Sequence, residues 1–163
     1  MSYRERLSVP SSWWVTGLLV ALSFVTAVGF YIGPAVAVAA GVVTAVAVVL
    51  ALLFYGRVVV AVDAGGVRAG DSVLEWPYVG EVIVHDRSAT RSRLGPDADH
   101  AAWLVVRGYV PGSVEVVVDD PADPHPYWLV SSRRPAQFAA AITASRPISL
   151  DGEAGQGPAR LPQ

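Results

Sequence analysis

Between Arg6 and Arg57 the chain carries no charged residue, an interval of fifty positions made mostly of Val, Ala, Leu and Gly. A hydrocarbon core of roughly 30 Å is crossed by about 20 helical residues, so the interval is too long for one membrane span and suits two. Residues 13–32 and 35–55 have that length on either side of Gly33-Pro34. Glycine takes the backbone geometry that ends a helix, and proline, with no N–H to give, is tolerated at the start of the next. The expectation is a transmembrane hairpin with both ends on one side. Arg4, Arg6 and Arg57 flank those ends while the turn is uncharged, so the positive-inside rule makes this a multi-pass protein of the cell (cytoplasmic) membrane with both termini cytoplasmic. Trp13, Trp14 and Tyr55 then form an aromatic belt at that membrane interface. A cleaved signal peptide is the rival reading of the first span, because Arg4 and Arg6 precede the apolar run and Ala27-Val28-Gly29 resembles a cleavage site. The second span remains in either case.

Helices in a bilayer associate through small residues that let backbones approach. Gly17, Ala21 and Gly29 share one face of the first span with Val25, and Ala37, Gly41 and Ala45 recur every four residues in the second. Packing within the hairpin and homodimer formation both fit this spacing. Thr16, Ser23, Thr26 and Thr44 can return their hydroxyl hydrogen bonds to the preceding helical turn. No ionisable residue lies inside the spans, so transport or conduction by this chain alone is not expected.

Of 163 residues, the N-terminal segment, two spans and a tail leave about 90 for one small domain. Cysteine is absent, which excludes disulfides, thiolate metal sites and cysteine nucleophiles. All twelve basic residues are arginine, a usage that fits a high-GC genome, and the net charge of -2 argues against nucleic-acid binding.

After the spans, short β-rich runs bounded by Gly, Pro or Asp occupy residues 57–62, 67–69, 72–76, 79–86, 101–107, 113–119 and 127–132. Residues 135–144 read as a helix, with Phe138 and Ile142 on one apolar face, Ser132 as its cap and Pro147 beyond its end. The expected organisation is an N-terminal segment and hairpin over residues 1–56, a cytoplasmic mainly-β domain over 57–145 and a disordered tail over 146–163. The order of strands followed by one C-terminal helix resembles the pleckstrin-homology-like (PH-like) fold, a bent antiparallel sheet capped by that helix. The stretch from Asp63 to Gly70, then Leu74-Glu75-Trp76-Pro77 and Val79-Gly80-Glu81-Val82, is similar to the start of bacterial PH domains attached to membrane hairpins. Tyr127 to Pro135 is similar to the last strand of that fold and the start of its helix.

Tyr3-Arg4-Glu5-Arg6-Leu7, Pro10, Trp13-Trp14, Leu94-Gly95-Pro96-Asp97, the run from Asp120 to Pro124 and the run from Pro126 to Ser131 form a second set of local matches. On these, over residues 3 to 144, the chain also resembles an uncharacterised family of small actinobacterial membrane proteins, a domain of unknown function. The resemblance implies an architecture and transfers no catalytic residues.

Two groups of oxygen and imidazole ligands stand out: Asp119, Asp120, Asp123 and His125, and Asp97, Asp99 and His100. The prolines and glycine among them favour turns over a metal site. Arg87, Arg91, Arg93, Arg133 and Arg134 are the candidate binding residues, since arginine clusters hold phosphates or acidic headgroups. Against that, Arg57 to Ala144 holds eight arginines and eleven acids, a net charge of -3. His85, in an alternating strand, reads as structural. No catalytic constellation and no cofactor motif is present, so no enzyme activity and no cofactor is expected. The sequence points to an integral membrane protein whose PH-like domain binds a protein partner at the bilayer surface. A lipid-headgroup or small-ligand sensor, or a structural subunit of a membrane complex, are the alternatives.

Overall fold

The structure is a computed structural model describing residues 3–147; from residue 148 onward the expected tail lies outside the described residues. Strand β1 (Tyr3–Arg6) leads into helix α1 (Ser11–Tyr31), which turns into α2 (Pro34–Tyr55). Gly33 joins them with φ of 124°, a conformation open to glycine, and Pro34 takes the first helical position. Both helices are long and apolar enough to cross a membrane. Their side chains face outward, with Leu18 69%, Val43 69% and Phe30 83% exposed, the reverse of helices in the core of a soluble protein. The Thr16 and Thr26 hydroxyls donate to Ser12 O and Leu22 O at 3.0 and 2.9 Å, so neither is left unpaired on that apolar surface.

The small residues serve the contact between α1 and α2. A Cβ on Gly17 would lie 2.6 Å from Val48 Cγ1, and one on Gly41 would lie 2.6 Å from Val25 Cγ2. Ala21 and Ala37 are buried there, while Ala45 is exposed. Gly41→Ile should force the helices apart and cost about 1–3 kcal/mol through overpacking. Loss of helical signal on heating the full chain in detergent would report it, and an unchanged transition would remove Gly41 from the interface.

The hairpin is an insertion between two hydrogen-bonded strands. β1 pairs antiparallel with β2 (Val59–Asp63), Tyr3 opposite Val62 and Glu5 opposite Val60, so α1 leaves and α2 returns at the same end of one sheet. β1 does not appear among the expected strands, because Tyr-Arg-Glu-Arg has no β-branched residue and only four positions in which to alternate. It nevertheless brings the fully buried Leu7 into the domain core.

In β2, Val60 and Val62 point inward with the period of two that a half-buried strand requires. The turn to β3 (Gly66–Ala69) is held by Asp63 Oδ1, which accepts from the Gly65 N–H at 2.9 Å. Gly66 has φ of 146°, and a Cβ there would sit 2.0 Å from Leu74 O, so that position demands glycine. β4 (Ser72–Glu75) completes an antiparallel sheet of order β1-β2-β3-β4. A 3-10 turn at Trp76–Tyr78 then leads into β5 (Val79–His85).

The second sheet differs from the bent antiparallel sheet expected. It comprises β5, β6 (Trp103–Val105), β7 (Gly112–Val118) and β8 (Tyr127–Ser132) in the order β5-β7-β8-β6, and β6 runs parallel to β8. The chain leaves β6, skips the slot that β8 later fills, and lays β7 beyond it. The fold is therefore two four-stranded sheets, one antiparallel and one mixed. Helix α3 (Arg87–Arg93) follows β5, and α4 (Pro135–Ser145) follows β8. Ser132 does not cap α4: Arg134 occupies that position, and Ser132 Oγ instead accepts from the Arg134 N–H at 3.0 Å. α4 packs across β2, β5, β7 and β8, burying Phe138 and Ile142 completely.

Candidate functional site

Short polar α3 is held by its inward face. Asp86 caps it, accepting from the Ala89 N–H at 2.8 Å and the Ser88 hydroxyl at 2.7 Å, and these bonds, the Ala89 N–H first, keep its carboxyl below the ordinary aspartate range. Thr90 Oγ1 lies 2.8 Å from Ser113 Oγ in a buried contact with β7. One turn on, Arg93 makes a two-pronged bond to Glu115, Nη2 to Oε1 at 2.6 Å and Nε to Oε2 at 2.8 Å. His85 Nε2 lies 2.8 Å from the same Oε2.

Glu115 is 2% exposed in the middle of valine-rich β7, so its charge is tolerable only because these partners replace water. The Glu115 bond raises the Arg93 guanidinium above its ordinary value, and that guanidinium also lies 4.9 Å from the centre of the Tyr127 ring. His85 is thus a structural partner, as its strand suggested. Arg93 is diverted from the surface into a clamp between α3 and the second sheet.

With Thr90 and Arg93 committed inward, Arg87 and Arg91, four residues apart, share the outer side of α3. They line an open groove of ≈ 360 Å³ whose other wall is the connection from β6 to β7, including Arg107, Tyr109 and Pro111. Among the described residues, no acidic residue lines it. Arg107 is held by a bond from Nη1 to Val106 O at 3.1 Å and by the ring of Tyr55, 4.7 Å from its guanidinium carbon, while its buried Nε has no hydrogen-bond partner among the described residues. The side chains of Arg87 and Arg91 form no hydrogen bond or ion pair among the described residues. Three arginines therefore line one groove, with no acidic residue in its described lining.

That groove adjoins the base of the hairpin. Tyr109 donates to Leu7 O at 2.6 Å, and burial pushes its phenol above the ordinary range. Its ring meets Trp13 and Tyr55 edge-on at 5.8 Å each, and Trp13 stacks on Tyr55 at 5.9 Å. Two of the three aromatics expected as an interfacial belt thus form the joint between hairpin and domain. Trp14 lies apart, lining an apolar cleft between α1 and α2 with Gly17 and Val48.

The remaining arginines serve elsewhere. Glu5 ties β1 to the end of β8: its Oε2 accepts from the Tyr3 and Ser132 hydroxyls at 2.7 and 2.6 Å, and its Oε1 from the Arg133 N–H at 2.9 Å. Burial is the main cause that pushes the Tyr3 phenol up to about 12. The Arg133 guanidinium donates to Arg6 O at 3.2 Å and to Ser8 O, straddling the link between β1 and α1. Arg134 is exposed at the start of α4 and is not among the residues that line the groove.

Both acidic groups act in turns. Asp120, Asp123 and Asp99 accept from the N–H groups of Ala122, His125 and Ala101 at 2.9, 2.8 and 2.9 Å, and Asp97 accepts from the Ser92 hydroxyl at 2.6 Å. His125 Nδ1 lies 2.7 Å from Ala101 O, joining the two loops.

Of the five candidate arginines, then, two meet in the groove, and the third member, Arg107, was not among the candidates. Nothing local marks it, since it is isolated in sequence from the others. Glu115 does carry a signal, being a lone charge among valines in a strand.

No curated protein and no solved structure matches the sequence. A family model described as "Protein of unknown function (DUF3093)" matches residues 2–142, nearly the whole described chain. The chain belongs to the DUF3093 family.

Proposed function

We propose that this is a two-span protein of the cytoplasmic membrane whose PH-like domain senses a ligand at the inner surface of the bilayer. The observation that carries this reading is the insertion of the hairpin between β1 and β2, with the arginine groove beside the aromatic residues at its base. Two membrane-length helices that leave one sheet end hold the domain against the bilayer face. Arg4, Arg6 and Arg57 at that end support a cytoplasmic location for both termini. Two packed sheets closed by a C-terminal helix support the PH-like reading, with the parallel β6–β8 pair as a departure from a simple meander.

A protein partner is the second reading. It is favoured by the edge strands β4 and β6, where Val73 and Leu104 are exposed and an added strand could pair. The orientation is tested by a reporter active only in the cytoplasm. Fused after Gln163 it should be active, and inserted at Gly33 it should be silent. The opposite pattern overturns the proposal.

A further inference from the structure

We infer that the groove formed by Arg87, Arg91 and Arg107 binds the phosphodiester headgroup of an anionic phospholipid. This deepens the reading of the domain as a membrane-surface sensor and rests on it. Arginine suits the task because its planar fork bonds two phosphate oxygens at once while its face stacks on an aromatic ring, as Arg107 does on Tyr55. The domain's net charge of -3 does not oppose this. At physiological salt, charges beyond about 8 Å are largely screened, so a bound phosphate responds to the groove and not to the domain's total. Among the described residues, the groove is lined by three arginines and no acid.

The lipid source follows from position. Tyr109 in the groove wall touches Trp13 and Tyr55, and Arg107 lies over Tyr55, the last residue of α2. Aromatic residues at the ends of membrane spans sit at headgroup level, so the groove opens at the depth where lipid phosphates are concentrated. The choline of a zwitterionic lipid would bring a cation towards the arginines and is disfavoured there. Helix α3 is fixed from behind by Thr90–Ser113 and Arg93–Glu115, so Arg87 and Arg91 are presented from a preset helix and need no folding step on binding.

The test uses the full chain in micelles containing equal amounts of phosphatidylglycerol and phosphatidylcholine, with retained lipid read by native mass spectrometry. The wild type should retain phosphatidylglycerol preferentially, and Arg87→Gln/Arg91→Gln should reduce that preference by roughly tenfold or more. Both side chains are exposed, so the variant is expected to fold. Arg68→Gln/Arg134→Gln removes the same charge outside the groove and should leave the preference unchanged. Equal retention of the two lipids by the wild type, or equal loss in both variants, overturns the inference. So does calorimetric titration in which inorganic phosphate binds the groove while no lipid preference is seen, since the source would then be soluble. The reporter experiment on orientation is independent of these results, so a failed headgroup site and a failed membrane-surface reading can be told apart.

Discussion

Phe138→Ala is expected to cost about 3–5 kcal/mol, the loss of buried ring surface plus the cavity left behind. Phe138 is completely buried on α4, and its ring stacks on Tyr3 with centroids 5.3 Å apart. It therefore holds two elements that come from opposite ends of the described chain. Tyr3 is tied through Glu5 to Ser132 and Arg133, so the cavity would open where β1, β8 and the start of α4 meet. For a domain of this size the cost corresponds to a fall in melting temperature of at least about 12 °C. The full chain is the right material, because a fragment beginning at Arg57 lacks β1 and the buried Leu7. Phe138→Leu, which refills part of the space, should recover much of the loss. A melting temperature within about 2 °C of the wild type for Phe138→Ala would show that α4 does not close the core.

Arg93→Met should be comparably damaging, at about 3–5 kcal/mol, because it leaves the Glu115 carboxylate buried with His85 as its remaining side-chain partner. The companion Glu115→Leu removes the buried charge and frees Arg93, which is partly exposed, to reach water, so it should cost less. The double variant Arg93→Met/Glu115→Leu is the decisive arm. Removing both charges eliminates the unpaired carboxylate, so its cost should fall below the sum of the single costs by about 2 kcal/mol. Unfolding of each variant in denaturant measures all three. Strict additivity would mean that the close contact at 2.6 Å contributes no coupling. Because the same contact sets α3 against β7, the Arg93 variant should also loosen the arginine groove.

The separation between legible and hidden features follows the range of the interactions involved. The two apolar helices, the turn at Gly33-Pro34, most of the strands and the amphipathic C-terminal helix were all readable. Each is written in composition, periodicity or backbone preference over a few neighbouring residues. Strand β1 was not readable, since its four polar residues become a strand only because β2 returns beside them after the hairpin. The parallel β6–β8 pair was equally hidden, as register between distant segments has no local signature.

The candidate binding residues divide in the same way. Arginine content could be counted from the sequence, but the fates of Arg93, Arg133 and Arg107 could not. Arg93 turns inward because Glu115 lies opposite it across 22 positions, and Arg133 is occupied by carbonyls of residues 6 and 8. Arg107 joins Arg87 and Arg91 only because the connection between β6 and β7 folds back beside α3. By itself the sequence determined where apolar surface must leave water and where the backbone must turn, since both are properties of short segments. Tertiary structure alone decided which charges are neutralised and which stay unpaired among the described residues, because a charge's partner is set by its neighbours in space.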